Sequence, residues 1–358
     1  MDAVPSVIEP SFPFPFQPAI FKRYPVNSSL SKIGIDHFRL AVGQSPVACV
    51  DIGGTKVAVT VVDANGVRAK TVEPTVTTGE NNALALQIIA LIEQGCASAG
   101  MVREAIERVG VASCGPFIVR NGQVELAAPN LCGGLAGAAR GLPNGWQTAP
   151  LEAPLRQVFS HVRVENDGIG ALEAERRWGA LQVEGMPLSH CAYVTWSTGI
   201  GTGLCVDGHV LRGKNGNAGH AGHTFVSHHA DTPCGCGNVG DVESLVAGNA
   251  IARRFAHMGY ADAAALFVAA YADDTRAVAI IDELCEVMGR MLYNLIATLD
   301  LQRISIGGSV YWHHRDYLLP RLRAVVRGKL PPLTDGFDLV SVGLGERVGD
   351  LGALALVA

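Results

Sequence analysis

The sequence predicts a two-domain α/β protein. Three observations carry this prediction: a length of 358 residues, strand and helix patterns that alternate along the chain, and two similar strand–glycine loop–strand units. One domain usually holds roughly one to two hundred residues, so the length suits two. Hydrophobic residues make up 48% of the chain and charged residues 17%, below the usual share of about 25%, so large cores can be built. The 42 glycines point to tight turns and close backbone approach.

Residues 1–45 are rich in Pro, Phe and Ser, have no clean period, and read as an irregular N-terminal extension. A first α/β domain is expected over 46–165. VACVDIGG is a short apolar strand closed by glycines, and VAVTVVDANGVRAKTVEP continues it as a hairpin turning at Asn65-Gly66. Ala83 to Ile106 has helical spacing. RVGVASCGP is a buried strand that stops at Gly-Pro, and VRVENDG is a strand running straight into the helical segment IGALEAERRW. A second α/β domain is expected over 166–358, with a hairpin at 217–243. It opens with CAYVTWSTGIGTGLCVDGHVLRG, again strand, glycine loop, strand, turn at Asp207-Gly208 and strand, which suggests two copies of one αβ unit. Thr275 to Leu299 reads as one long helix, and RISIGGSV as a strand ending in a glycine turn. The tail from Leu339 gives a strand and a small-residue helix that can return to the first domain.

The net charge of −5 and the pI near 6.1 supply no basic stripe for nucleic acid. No apolar run reaches the ~18 residues of a membrane span. Of nine cysteines, Cys49, Cys114, Cys191 and Cys205 stand alone in apolar segments and read as small buried hydrophobes, whereas Cys234 and Cys236 lie together. A disulfide framework is not expected, and a reducing cytoplasm is.

Four elements carry chemistry. The first is Asp51-Ile52-Gly53-Gly54-Thr55-Lys56. A turn after a buried strand aims successive N–H groups at an anion, the glycines admit a phosphate, and Thr55 adds a hydroxyl. Asp51 can hold Mg²⁺, directly or through water. In isolation the stretch would also pass for an ordinary hairpin turn. The second is Ser197-Thr198-Gly199-Ile200-Gly201-Thr202-Gly203, which repeats this logic and suggests a nucleotide pinched between two domains. It is neither a Walker A loop nor a dinucleotide loop, because the Lys-Ser/Thr ending is missing and a strand follows. The third is Glu165-Asn166-Asp167, at a strand end before a helix. Asp167 reads equally as a general base or as a helix cap, and Asn166 as a sugar-hydroxyl ligand. The fourth runs from Asn217 through His220 and His223 to Cys234-Gly235-Cys236 and Asp241. His223, Cys234, Cys236 and Asp241 make a four-ligand zinc set, with His228 and His229 as spare candidates. A metal-free loop is the alternative.

Together these elements resemble the ROK family of sugar kinases and repressors from about Val47 to the C-terminus. The motifs that carry the likeness are DIGGTK, Gly115-Pro116, APNL at Ala128 to Leu131, ENDG, STGIGTG, the zinc-type hairpin and GGSV at Gly307 to Val310. The resemblance implies an actin-like (RNase H-like) two-domain fold with ATP in an interdomain cleft, a homodimer, and phosphorylation of the C6 hydroxyl of a hexose or N-acylhexosamine. By position, Asp51, Gly53, Gly54, Thr55 and Lys56 match one phosphate loop, Thr198 and Gly199 the other, and Gly307 with Gly308 the turn near adenosine. Asn130, Asn166, His220, His223 and Glu243 match sugar ligands, and Asp167 the catalytic base. Two departures stand out. His220 replaces the usual Glu of E-x-G-H, as in an N-acetylmannosamine kinase subgroup, which favours that sugar over glucose. Asp241 replaces the usual third zinc cysteine, which implies a structural zinc held more weakly and with more pH sensitivity. Two rivals remain: a sugar-responsive repressor, for which the proline-rich start offers no helix-turn-helix, and an actin-like ATPase scaffold, which would not need the APNL, END and H-x-G-H residues.

Overall fold

The computed structural model describes residues 38–137, 141–228 and 232–358. The extension up to residue 37 and the spare ligand His229 lie outside these. In the first half, β1 (Val47–Ile52), β2 (Lys56–Asp63), β3 (Gly66–Pro74) and β4 (Arg108–Ser113) precede a small antiparallel sheet of β5 (Phe117–Arg120), β6 (Gln123–Leu126) and β7 (Ala149–Pro150). β8 (His161–Asn166) then completes a five-stranded sheet of order β3-β2-β1-β4-β8. After a short hairpin of β9 (Gln182–Val183) and β10 (Met186–Pro187) comes the second half. Here β11 (Cys191–Trp196), β12 (Ile200–Val206), β13 (His209–Val210), β14 (Arg303–Gly307) and β15 (Asp338–Ser341) form a sheet of order β13-β12-β11-β14-β15. Both sheets pair their first three strands antiparallel and add the last two parallel. This duplicated unit is the actin-like α/β fold that the sequence predicts.

Strand alternation sorts the side chains into layers. On β1, Ala48, Val50 and Ile52 enter an outer core under the helix Ala83–Ser98, while Val47 and Cys49 face a central core between the sheets. On β11, Ala192, Val194 and Trp196 face the other outer core, and Cys191 and Tyr193 the central one. Asp51 continues the inward row of Val47 and Cys49, so its carboxylate opens at the head of the central layer. The isolated cysteines Cys49, Cys191 and Cys205 are buried, as their neighbours predict, but Cys114 is half-buried because it lies where β4 runs out at the cleft. The helix expected over Ala83 to Ile106 stops at Ser98: Gly100 turns left-handed at φ +69°, and Arg103–Ala105 form a separate short turn.

Two helices fill the layer between the sheets. Asp167–Trp178 leaves the end of β8 and packs on β11 and β12 of the second sheet, while Val348–Ala355 returns to β1 and β4 of the first. They cross where Gly170 meets Gly352: a Cβ at Gly170 would come within 3.3 Å of the Gly352 carbonyl carbon. The first helix lies just as close to β12, where a Cβ on Gly203 would overlap the Gly168 carbonyl and sit 2.7 Å from Leu172 Cβ. Glu175, buried on the same helix, accepts hydrogen bonds from the N–H groups of Ala180 (2.8 Å), Gly343 (3.0 Å) and Leu344 (2.9 Å), tying it to the segment that leads into the C-terminal helix. Gly203→Ala is expected to lower unfolding free energy by about 1–3 kcal/mol in urea titrations, because neither side of the contact can recede; wild-type stability would show the helix sits less tightly on the strand than described.

Candidate active site

The first glycine loop is closed by Gly53 N–H donating to Lys56 O at 2.9 Å and by the Thr75 hydroxyl donating to Gly53 O at 2.9 Å. Asn130 packs over this loop, and a Cβ on Gly54 would overlap its amide. Asn130 and the DIGGT stretch thus meet although 76 positions separate Gly54 from Asn130. The second loop is braced from behind: Glu243 Oε2 accepts from Ile200 N–H at 2.9 Å, and Gly248 N–H donates to Ser197 O at 2.8 Å. Glu243 lies so close under Gly199 that a Cβ there would sit 2.8 Å from Oε2. Thr198 remains exposed at the loop tip. Gly307 and Gly308 end β14 beside the end of β11; Gly308, at φ +89°, leaves no room for a Cβ against the Trp196 carbonyl.

The third element settles which residue caps the helix. Asn166 is the N-cap, its Oδ1 accepting from Gly168 N–H at 3.0 Å, while its Nδ2 reaches Ser113 O at 3.5 Å. Asp167 is the first helical residue. Its Oδ1 also takes the Gly168 N–H, at 2.8 Å. Asp167 is exposed as a residue, and only its carboxyl end is desolvated by the protein around it. That desolvation, with Asp51 as a second negative charge, raises its pKa to about 6. Asp51 is itself raised, by burial and by Asp350, against the pull of Lys56 and Lys70. Cys114 shares this corner, and burial together with Asp167 and Asp51 pushes its thiol up to about 12.

His220 and His223 lie side by side with ring centroids 6.0 Å apart. His220 Nδ1 lies 3.0 Å from Asn217 O, and a Cβ on Gly115 would be 3.1 Å from His220 Nε2 and 3.2 Å from Asn166 Nδ2. The two polar tips therefore converge above Gly115. Burial, then the neighbouring His223, lowers the pKa of His220 and favours the neutral ring. His223 Nδ1 turns the other way, towards Cys234 Sγ (3.6 Å) and Asp241 Oδ2 (3.5 Å), and Cys236 Sγ lies 3.4 Å from that same oxygen. The candidate ligand atoms of His223, Cys234, Cys236 and Asp241 all fall within 4.8 Å of one another. Zinc bonds of about 2.0–2.3 Å at tetrahedral angles put ligand atoms roughly 3.3–3.8 Å apart, so the donor set fits that ion. Asp241 Oδ1 meanwhile caps the helix Val242–Val246 through Ser244 N–H at 2.7 Å. His228 stands apart from this group and packs edge-on against Phe225.

The described site residues that the motifs single out thus lie on five structures: the first loop with Asn130, the second loop with Glu243, the helix start at Asn166 and Asp167, the turn at Gly307 and Gly308, and the ligand hairpin with its two histidines. Residues 47–358 match the family model described as "ROK family". The chain belongs to the ROK family. It is 32% identical over 268 residues to the N-acetylmannosamine kinase of Salmonella newport (strain SL254), covering 73% of this chain and 82% of that protein. Among solved structures, the ROK hexokinase of Thermus thermophilus superposes with TM-score 0.68 at 30% identity, over 87% of this chain and 97% of that one. A ROK family glucokinase of Streptomyces griseus, solved with glucose and AMPPNP, gives TM-score 0.64 at 26% identity over 86% and 97%. The relatives are phosphotransferases, in keeping with the expected enzyme class. Among described residues no helix is long and apolar enough to cross a membrane.

Sequence reasoning overlooked several residues here. Cys114 reads as a core cysteine, Asn217 as no more than the start of the hairpin, and the pairing of Arg212 with Glu165 (2.6 Å) across 47 positions has no local signal. The raised pKa of Asp167 carries a sign for stability. The fold disfavours its charged form, so its contribution is full below the ordinary carboxylate pKa near 3.8 and is lost as pH rises towards 6. Asp167→Asn is therefore expected to raise Tm at pH 7–8, with the gain vanishing as pH falls to about 4; a pH-independent difference would contradict this environment.

Proposed function

We propose that this ROK-family sugar kinase transfers the γ-phosphoryl group of ATP to the C6 hydroxyl of an N-acylhexosamine, N-acetylmannosamine above all, with glucose as the second reading. The observation that carries the reaction is the place of Asp167: it opens the helix at the end of β8, is exposed, lies close enough to Asp51 for the two charges to repel, and carries a carboxylate with a pKa of about 6. Such a group is charged at neutral pH yet basic enough to take a proton from an attacking hydroxyl. As the sugar oxygen bonds to the γ-phosphorus, its proton moves to Asp167 and the bond to the ADP oxygen breaks. Backbone N–H groups of the two glycine loops meet the charge that develops, and in phosphoryl transfer such positioning and electrostatics carry most of the barrier reduction. Asp51 and Asp167 are two mutually repelling carboxylates, a donor arrangement that suits a hard cation; when bound through Asp51, Mg²⁺ supplies charge neutralisation to the phosphates. Asn130, Asn166, His220, His223 and Glu243 are assigned to the sugar and its surroundings. The choice of an N-acylhexosamine is supported by His220, which stands where most of the family carries a carboxylate.

A coupled ADP-release assay over a panel of hexoses and hexosamines tests this reading. N-acetylmannosamine is expected to give the highest kcat/KM, with the acid limb of log kcat/KM falling below pH about 6. Asp167→Ala should cost ~10²–10⁴-fold in kcat with the circular dichroism unchanged. Turnover at the wild-type rate would remove Asp167 from the role of base.

We assign a structural zinc to His223, Cys234, Cys236 and Asp241, where it would pin the loop that presents both histidines. Elemental analysis is expected to find one zinc per chain. A chelator should strip it faster, and lower Tm at a lower dose, than from Asp241→Cys, in which a thiolate replaces the oxygen donor. Equal retention by both proteins would show that Asp241 does not ligate.

A further inference from the structure

We propose that Asn217 is a positioning residue that clamps the loop before His220 to the floor of the cleft and fixes His220 in the tautomer whose Nε2 accepts a hydrogen bond. The inference rests on the sugar-kinase reading and names what the site takes at this point: one hydrogen-bond donor of the sugar, a hydroxyl or an acylamino N–H.

Asn217 belongs to the second half of the chain, yet its side chain reaches into the first. Phe117 N–H donates to Asn217 Oδ1 at 2.8 Å, and Asn217 Nδ2 donates to Phe117 O at 2.8 Å. This is the pair of bonds a neighbouring strand residue would make, supplied here by an amide side chain. Phe117 opens β5 directly after Gly115-Pro116, the turn over which His220 Nε2 and Asn166 Nδ2 converge. The next link is the Asn217 carbonyl, 3.0 Å from His220 Nδ1. A carbonyl can only accept, so the proton lies on Nδ1, and a neutral imidazole then presents a lone pair at Nε2. His220 thereby offers the cleft an acceptor, as a carboxylate would, but uncharged and able to receive one donor instead of several.

Two residues further on, the Thr202 hydroxyl and N–H both donate to Gly219 O. Before the loop, Arg212 pairs with Glu165 at 2.6 Å. The segment is thus held by the first half at Arg212 and Asn217 and by the second at Gly219. The place of Nε2 depends on both halves through Asn217. Removing the amide leaves the Phe117 N–H and C=O without these partners and frees the carbonyl that orients the ring.

The test has a spectroscopic and a kinetic arm on the full chain. With ¹⁵N-labelled histidine, and His220 assigned by the signals lost in His220→Gln, NMR of the wild type is expected to show Nδ1 protonated and Nε2 unprotonated. Asn217→Ala should give a mixture of tautomers. A wild-type His220 protonated at Nε2 overturns the proposal. In the kinetic arm, Asn217→Ala is expected to raise KM for the preferred sugar roughly tenfold, the loss of about one well-placed hydrogen bond, with KM for ATP unchanged. In a His220→Ala background the same substitution should change KM for sugar less than about twofold. An equal loss in both backgrounds overturns the proposal, since Asn217 would then act independently of His220. Should Asn217→Ala not fold, Asn217→Asp keeps the acceptor for Phe117 N–H while removing the donor, and the wild-type spectrum needs no variant of Asn217. If no sugar on the panel is phosphorylated, the kinase reading falls while the spectrum still decides for or against Asn217.

Discussion

The arrangement of this molecule depends on one steric concession, the near-contact of the helix Asp167–Trp178 with strand β12. A helix that starts where the first sheet ends can lie on the second only if both surfaces are bare at the crossing. Gly168 and Gly203 provide that, each leaving no room for a Cβ on the other side. The helix N-terminus is therefore held at the line where the two sheets meet, and its first residue is an aspartate. Had the helix stood off by a side chain's width, Asp167 would not share a corner with Asp51. The return of Val348–Ala355 to the first sheet, with its own glycine at the crossing, makes the arrangement reciprocal.

Around that crossing the polar groups are matched with care. Glu175 loses its hydration entirely, a cost that three backbone N–H groups offset. The helix-facing acid Glu173, with Glu165, holds Arg163 and Arg212 in a network across the same junction. At the opposite end Asp241 divides its two oxygens, one to a helix N-terminus and one to the ligand cluster. A cysteine has a single sulfur and could not serve both, so an aspartate at this position anchors the helix while it faces the cluster.

Much of this was legible in the sequence because it is local. The helix Thr275–Leu299 has its bounds where the apolar period begins and ends, and both hairpins follow from a glycine or Asx-Gly turn between alternating strands. The grouping of His223, Cys234, Cys236 and Asp241 could be read from Cys-Gly-Cys with a histidine a dozen residues away. What escaped is non-local or directional. Periodicity carried the first helix past Gly100, where a positive φ ends it. Cys114 looks like any apolar cysteine until the strand's end is known to open on a cleft. Nothing near Asn217 announces Phe117, 100 positions earlier. That Asn166, and not Asp167, is the N-cap of the helix could be read only from the structure.

The corner that holds Asp167 also governs how the protein meets electrophiles. Burial, with Asp167 and Asp51 beside it, pushes the Cys114 thiol up to about 12, and a thiol without its thiolate is a poor nucleophile. The burial that, with its negative neighbours, raises the carboxylate of Asp167 holds the proton firmly on the sulfur beside it. Beside Asp167 the sulfur is therefore kept as the thiol, and the carboxylates are left as the basic groups of this corner.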